Sequence, residues 1–125
     1  MSSISWIQNI ILVALGGALG SVCRYLLSGI NTISFPWGTF VVNILGSLLI
    51  GLLIGMVSRG SISPEMKLLL VTGFCGGFTT FSTFANESFA IMKAGDILLS
   101  ALYIGVSVAI GILAVWVGMT LTCKE

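Results

Sequence analysis

Four long apolar stretches leave this chain one environment in which to fold. They run over residues 6–27, 37–57, 66–92 and 97–121, joined by short connections at 28–36, 58–65 and 93–96. A helix crossing a bilayer needs about 20 mostly apolar residues, and each stretch supplies that. Charged residues make up 7% of the chain, against roughly 25% in a soluble domain. A surface so poor in charge cannot face water. The expected fold is an all-α membrane protein, with residues 1–125 forming a single four-helix transmembrane domain. The first stretch lacks a basic leader and a small-residue cleavage pattern, so it reads as a retained helix rather than a signal peptide.

The punctuation agrees with four spans. Ser63-Pro64-Glu65 offers a cap residue, a proline for the first helical position and an acid beside the positive helix end. Gly95-Asp96 can end one helix and cap the next, and Phe35-Pro36-Trp37 places a helix start and an aromatic anchor at an interface. Four spans put both termini on one side, with Arg59, Lys67 and Lys124, against Arg24 and Lys93 on the other. So slight an excess hardly orients the chain by the positive-inside rule. Insertion in both orientations, and with it an antiparallel dimer, stands beside a fixed orientation set by another factor.

Composition also excludes. The net charge is +1 with no basic run, so nucleic acid is not an expected partner. There is no histidine, which removes the commonest general base and metal ligand. The three cysteines are far apart and form no CxxC, so neither a disulfide framework nor a zinc site is expected. No nucleophile–base pair or phosphate loop is present, and the chain does not read as an enzyme.

Within the third span lies an unusual stretch, residues 73–84 (GFCGGFTTFSTF), with three glycines, four hydroxyl residues and four phenylalanines. Glycine costs a helix about 1 kcal/mol relative to alanine. Irregular backbone at membrane depth persists only where protein buries it or where it lines a watery path. A helix break near residues 73–83 is therefore expected, with a polar pathway beside it. Carbonyls freed at such a break can coordinate a cation.

Polar side chains recur at helical spacing in the other spans. Gly16, Gly20 and Arg24 share a face of the first. The glycines suit close helix packing. Arg24 can snorkel to the interface, support a pore mouth or draw anions to a vestibule. Thr39, Asn43 and Ser47 share a face of the second span. Asn43 reads either as an interhelical tie or, preferably, as a pore-lining donor. Ser100, Tyr103, Ser107 and Gly111 stripe the fourth, where serine can also bond back to its own helix. Phe81 and Phe84 sit i, i+3 around Ser82 and Thr83. Phenyl edges are positive and hydroxyls donate, which suits a small anion. Glu87 follows them, with its role open between a vestibule acid, a partner of a basic group and a proton carrier.

These motifs carry a family resemblance. GGALGSVCRY at 16–25, GTFVVNILGS at 38–47 and GFCGGFTTFSTFANE at 73–87, one per span and in this order, resemble the Fluc/CrcB family of fluoride channels over essentially the whole chain. The resemblance implies a passive, fluoride-selective channel that exports fluoride from the cytoplasm and reduces its toxicity. It implies a dual-topology chain in the bacterial inner membrane, assembled as an antiparallel homodimer in contact with lipid. It implies broken third helices crossing at the dimer centre around a structural sodium ion, held by the carbonyls of Gly76 and Thr79. The pore residues it implies are Asn43, Phe81, Phe84, Ser82, Thr83, Tyr103 and Ser107. Arg24 and Glu87 would serve the vestibule or support the structure. The runner-up is a small dual-topology exporter of cationic drugs coupled to protons, for which Glu87 would be the essential carboxylate. A structural or assembly factor would leave the polar stripes unexplained.

Overall fold

A computed structural model describes residues 3–123. Every regular element among them is helical. Helix α1 is Ser3–Leu27, followed by a 3-10 turn at Ser28–Ile30, and α2 is Trp37–Ser58. The third span starts with α3 (Pro64–Lys67), widens into π-helical turns over Leu68–Cys75, continues in α4 (Gly76–Phe78) and resumes in α5 (Ser82–Lys93). Helix α6 is Ile97–Thr122. Four segments are long and apolar enough to cross a membrane: Ser5–Ile30, Trp37–Ser58, Pro64–Lys93 and Ile97–Thr122. The chain is thus a multi-pass membrane protein. Lys124, one of the cations weighed for orientation, lies outside the described residues.

The two caps read from the sequence are in place. The Ser63 hydroxyl accepts from the Met66 amide at 3.2 Å with Pro64 at the first turn. The Asp96 carboxylate accepts from the Leu99 amide at 3.1 Å. Gly95, at φ 98°, occupies the left-handed region that a side chain would resist. All three cysteines are unpaired thiols.

Packing divides the spans into two pairs. Helix α1 lies along the π-helical segment and α4, and α2 lies along α6, with α5 against α6. Small residues let the backbones meet. A Cβ at Gly16 would overlap the Leu69 carbonyl oxygen, and one at Gly20 would overlap that of Phe74. The Gly16–Gly20 stripe therefore serves close helix packing.

The third span corrects one expectation. A break was expected near residues 73–83, but helical turns continue through Phe78. Only residues 79–81 leave the helix, with Thr79 extended at φ −86°, ψ 162°. The glycines explain the difference. A Cβ at Gly73 would stand 3.0 Å from Gly16 Cα, and one at Gly77 would stand 2.5 Å from the Gly17 carbonyl oxygen. These glycines are spent on approach to α1, not on unwinding. Gly76 itself is helical, at φ −63°, ψ −37°.

Candidate functional site

The non-helical residues 79–81 and the helix end before them are held by side chains from two other spans. In a continuing α-helix the Thr80 amide would bond to the Gly76 carbonyl. Instead it donates to Asn43 Oδ1 at 2.9 Å, while Asn43 Nδ2 donates to the Thr80 carbonyl at 3.1 Å. Arg24 reaches inward from α1, and its Nε donates to the Gly77 carbonyl at 3.0 Å. The Thr80 hydroxyl accepts from the Thr83 amide at 3.3 Å and so starts α5. Three of the backbone groups at this helix end, the Gly77 carbonyl and the Thr80 amide and carbonyl, are thus met by polar side chains, as a low-dielectric setting favours.

Two cavities flank this segment, and Thr80 lines both. The larger, about 610 Å³ and open on one side, is lined by Asn43, Ser47, Gly76, Thr79, Phe81, Phe84 and Ser107 among others. The smaller, about 40 Å³, is lined by Arg24, Ser28, Asn31, Gly38, Thr39, Val42, Thr80 and Thr83. The residues singled out in the sequence therefore fall into two groups. Thr83 belongs with Arg24, away from Phe81 and Phe84. Ser82, which is exposed, lines neither cavity, and neither do Tyr103 and Glu87.

Aromatic rings form a connected file. Phe81 is 79% exposed and its ring centroid lies 6.4 Å from that of Phe84. Phe84 meets Tyr103 edge-on at 5.0 Å, and Tyr103 meets Phe35 edge-on at 5.1 Å. Tyr103 is the pivot, 2% exposed. Its hydroxyl donates to Glu87 Oε1 at 3.0 Å, and the Thr39 hydroxyl donates to Glu87 Oε2 at 2.8 Å. Glu87 thus ties α5 to α2 and α6.

Serine hydroxyls differ sharply in their partners. Ser47 donates to its own helix at the Asn43 carbonyl, at 2.7 Å. Ser100 donates to the Ser88 carbonyl at 2.7 Å, across to α5. Ser107 is 9% exposed, and its hydroxyl has no hydrogen-bond partner although it is buried. It lines the larger cavity. No group of histidine, cysteine, aspartate or glutamate side chains among the described residues could hold a metal ion.

Residues 11–119 match the family described as CrcB-like protein, Camphor Resistance (CrcB). The chain belongs to the CrcB family. Its similar relatives agree in name. A "Fluoride-specific ion channel FluC" of Agrobacterium fabrum is 51% identical over 121 residues, covering 90% of this chain and 94% of that protein. Proteins of the same name from Gloeothece citriformis and Flavobacterium psychrophilum are 49% and 45% identical. Each covers 90% of this chain, and the match spans 95% and 94% of those proteins respectively.

Every candidate site residue of this CrcB chain lies inside the matched region. Three contributors were not singled out from sequence as site residues: Thr39, Thr80 and Asn31. Thr39 stood in the polar stripe of the second span, on the face it shares with Asn43. Thr80 lacks any such signal, because its part is played mostly by backbone. Asn31 had an indirect one. Helix α2 begins behind Pro36, which provides no side-chain cap, so an acceptor had to come from elsewhere in the linker.

Proposed function

We propose that this CrcB chain is a passive, fluoride-selective channel that lets fluoride leave the cytoplasm and so limits its toxicity. The observation that carries the reading is the Ser107 hydroxyl, buried without a partner in the cavity that Asn43, Phe81 and Phe84 also line. Leaving such a group unsatisfied costs about 1–3 kcal/mol. A small anion passing the cavity would accept its hydrogen bond. Fluoride is strongly hydrated, so its path must replace water with many donors. The Ser107 hydroxyl, the second N–H of the Asn43 amide and the edges of Phe81 and Phe84 supply them in succession. Several weak sites in a row let an ion leave as readily as it enters. The names carried by the relatives point to the same ion.

In this reading one chain is half of the pore. Phe81 is largely exposed in a single subunit, and Gly76 faces open space. We assign that side to a second copy, in an antiparallel homodimer of dual topology, consistent with the nearly even basic residues on the two faces. The interruption at residues 79–81 is then a functional break where third spans cross. A structural sodium ion fits there. The Thr80 amide bonds to Asn43 rather than to the Gly76 carbonyl, Thr79 is extended, and both residues line the open cavity. Gly76 and Thr79 would hold the ion through carbonyl oxygens, and its charge would offset their dipoles. The remaining exposed apolar faces suit lipid, in the inner or plasma membrane of a bacterium.

Purified protein in fluoride-loaded liposomes, read by a fluoride electrode, tests the function. Rapid efflux on adding only a potassium ionophore to balance charge is the expected result. No efflux would overturn the proposal, and efflux that needs a proton gradient would favour a coupled exporter built on Glu87.

A further inference from the structure

The linker between α1 and α2 sets one side chain against two structural elements at once. Asn31 Oδ1 accepts from the Gly38 amide at 2.6 Å and from the Thr39 amide at 3.3 Å, capping α2 where Pro36 does not. Only the carbonyl oxygen of the side chain can accept from two amides, so this contact fixes which way the amide group points. Its Nδ2 then faces Glu87, 3.5 Å from Oε2. That oxygen also takes the Thr39 hydroxyl, and Oε1 takes the Tyr103 hydroxyl. The same linker touches Tyr103 through the ring of Phe35.

We propose that Asn31 is a positioning residue for permeation: it caps α2 and, through the same amide, holds the Glu87 carboxylate against Thr39 and Tyr103. The inference rests on reading the chain as a fluoride channel. The hydroxyls of Thr39 and Tyr103 rotate, and can donate elsewhere. Asn31 is locked by two backbone amides and is the one directed donor of the three. It also lines the small cavity, together with Arg24, Thr39 and Thr83. Without it, the Thr39 and Tyr103 hydroxyls alone hold Glu87, and the carboxylate can follow them toward that cavity. A negative charge there repels an approaching anion, and more strongly than in water because the dielectric is low.

Asn31→Asp separates the two jobs. It keeps an acceptor for the Gly38 and Thr39 amides, where a negative cap is favourable. It replaces the donor facing Glu87 with a second carboxylate oxygen. A residue that only caps the helix predicts a variant that melts at or above wild type and conducts like it. A residue that positions Glu87 predicts a lower melting temperature and fluoride efflux reduced by about tenfold. It also predicts that adding Glu87→Gln, whose amide can donate to the new carboxylate, restores the melting temperature.

The experiment compares thermal melting of wild type, both single variants and the double variant, with liposome efflux for wild type and Asn31→Asp. Efflux within about twofold of wild type, a melting temperature not lowered, or a loss that Glu87→Gln fails to relieve overturns the proposal. If Asn31→Asp alone gives no folded protein, a folded double variant supports it and an equally unfolded one overturns it. Wild type without fluoride efflux would instead count against the channel reading, and the melting comparison would then decide the positioning.

Discussion

Asn43 grips Thr80 by both of its backbone polar groups, accepting from the amide at 2.9 Å and donating to the carbonyl at 3.1 Å. One side chain of α2 thereby substitutes for the helical bonds missing at Thr80. The sequence reading of Asn43 offered an interhelical tie or a donor open to the ion. The geometry gives the tie directly and leaves one N–H of the amide for the larger cavity, which Asn43 lines.

Asn43→Asp keeps the acceptor for the Thr80 amide but sets a carboxylate oxygen against the Thr80 carbonyl. We expect a stability loss of about 1–3 kcal/mol from the unmatched acceptors. Fluoride efflux should fall by about tenfold or more, because a fixed negative charge lines an anion path. Melting in detergent and liposome efflux measure the two effects, and wild-type efflux would remove Asn43 from the pathway.

The two phenylalanines should separate stability from conduction. Phe81 is mostly exposed in one subunit, whereas Phe84 packs edge-on against Tyr103. Phe84→Ile should cost about 0.5–1.5 kcal/mol for the lost ring pair, and Phe81→Ile should leave the subunit's own stability nearly unchanged. Both should depress fluoride efflux sharply while size-exclusion profiles stay the same. Unchanged efflux in both would remove the ring file from the mechanism.

Ser107→Ala tests the unpartnered hydroxyl by an opposition of signs. Deleting a buried hydroxyl with no partner removes a desolvation penalty of about 1–3 kcal/mol, so the variant should melt at or above wild type. Fluoride efflux should nonetheless fall. A variant that melts lower would mean that the hydroxyl has a partner within the protein, and equal efflux would place it outside the ion path.

Gly20→Ala should be costly for a reason unrelated to helix propensity, which favours alanine. Its methyl would overlap the Phe74 carbonyl oxygen, and backbone on both sides leaves nothing flexible to yield. Overpacking of this kind costs about 1–3 kcal/mol. A melting temperature lowered by several degrees is the expected reading, and an unchanged one would show that α1 can shift against the third span.

Four spans, their connections and two helix caps were legible in the sequence, because hydrophobic length and cap chemistry are local properties. Ser63 and Asp96 cap their own helices within three residues, at Met66 and Leu99. The Gly73–Gly77 region was legible as special but not in its purpose. Glycines that relax a helix and glycines that admit a neighbouring backbone look alike in one dimension, and only the approach of Gly16 and Gly17 tells them apart.

The candidate site divided in the same way. Spacing alone put Thr39 and Asn43 on one face of the second span and Tyr103 and Ser107 on one face of the fourth, since a 3.6-residue period aligns side chains within one helix. Which of them meet was settled by contacts between spans that no periodicity encodes. Thr39 and Tyr103 converge on Glu87 from α2 and α6. Asn43 finds the backbone of Thr80, and Asn31 finds the start of a helix that its own neighbours cannot cap. By itself, the sequence determined a four-span membrane protein with polar stripes and an irregular third span. The tertiary structure decided which polar groups are satisfied and that Ser107 is not, because hydrogen-bond satisfaction depends on distances between segments far apart in the chain.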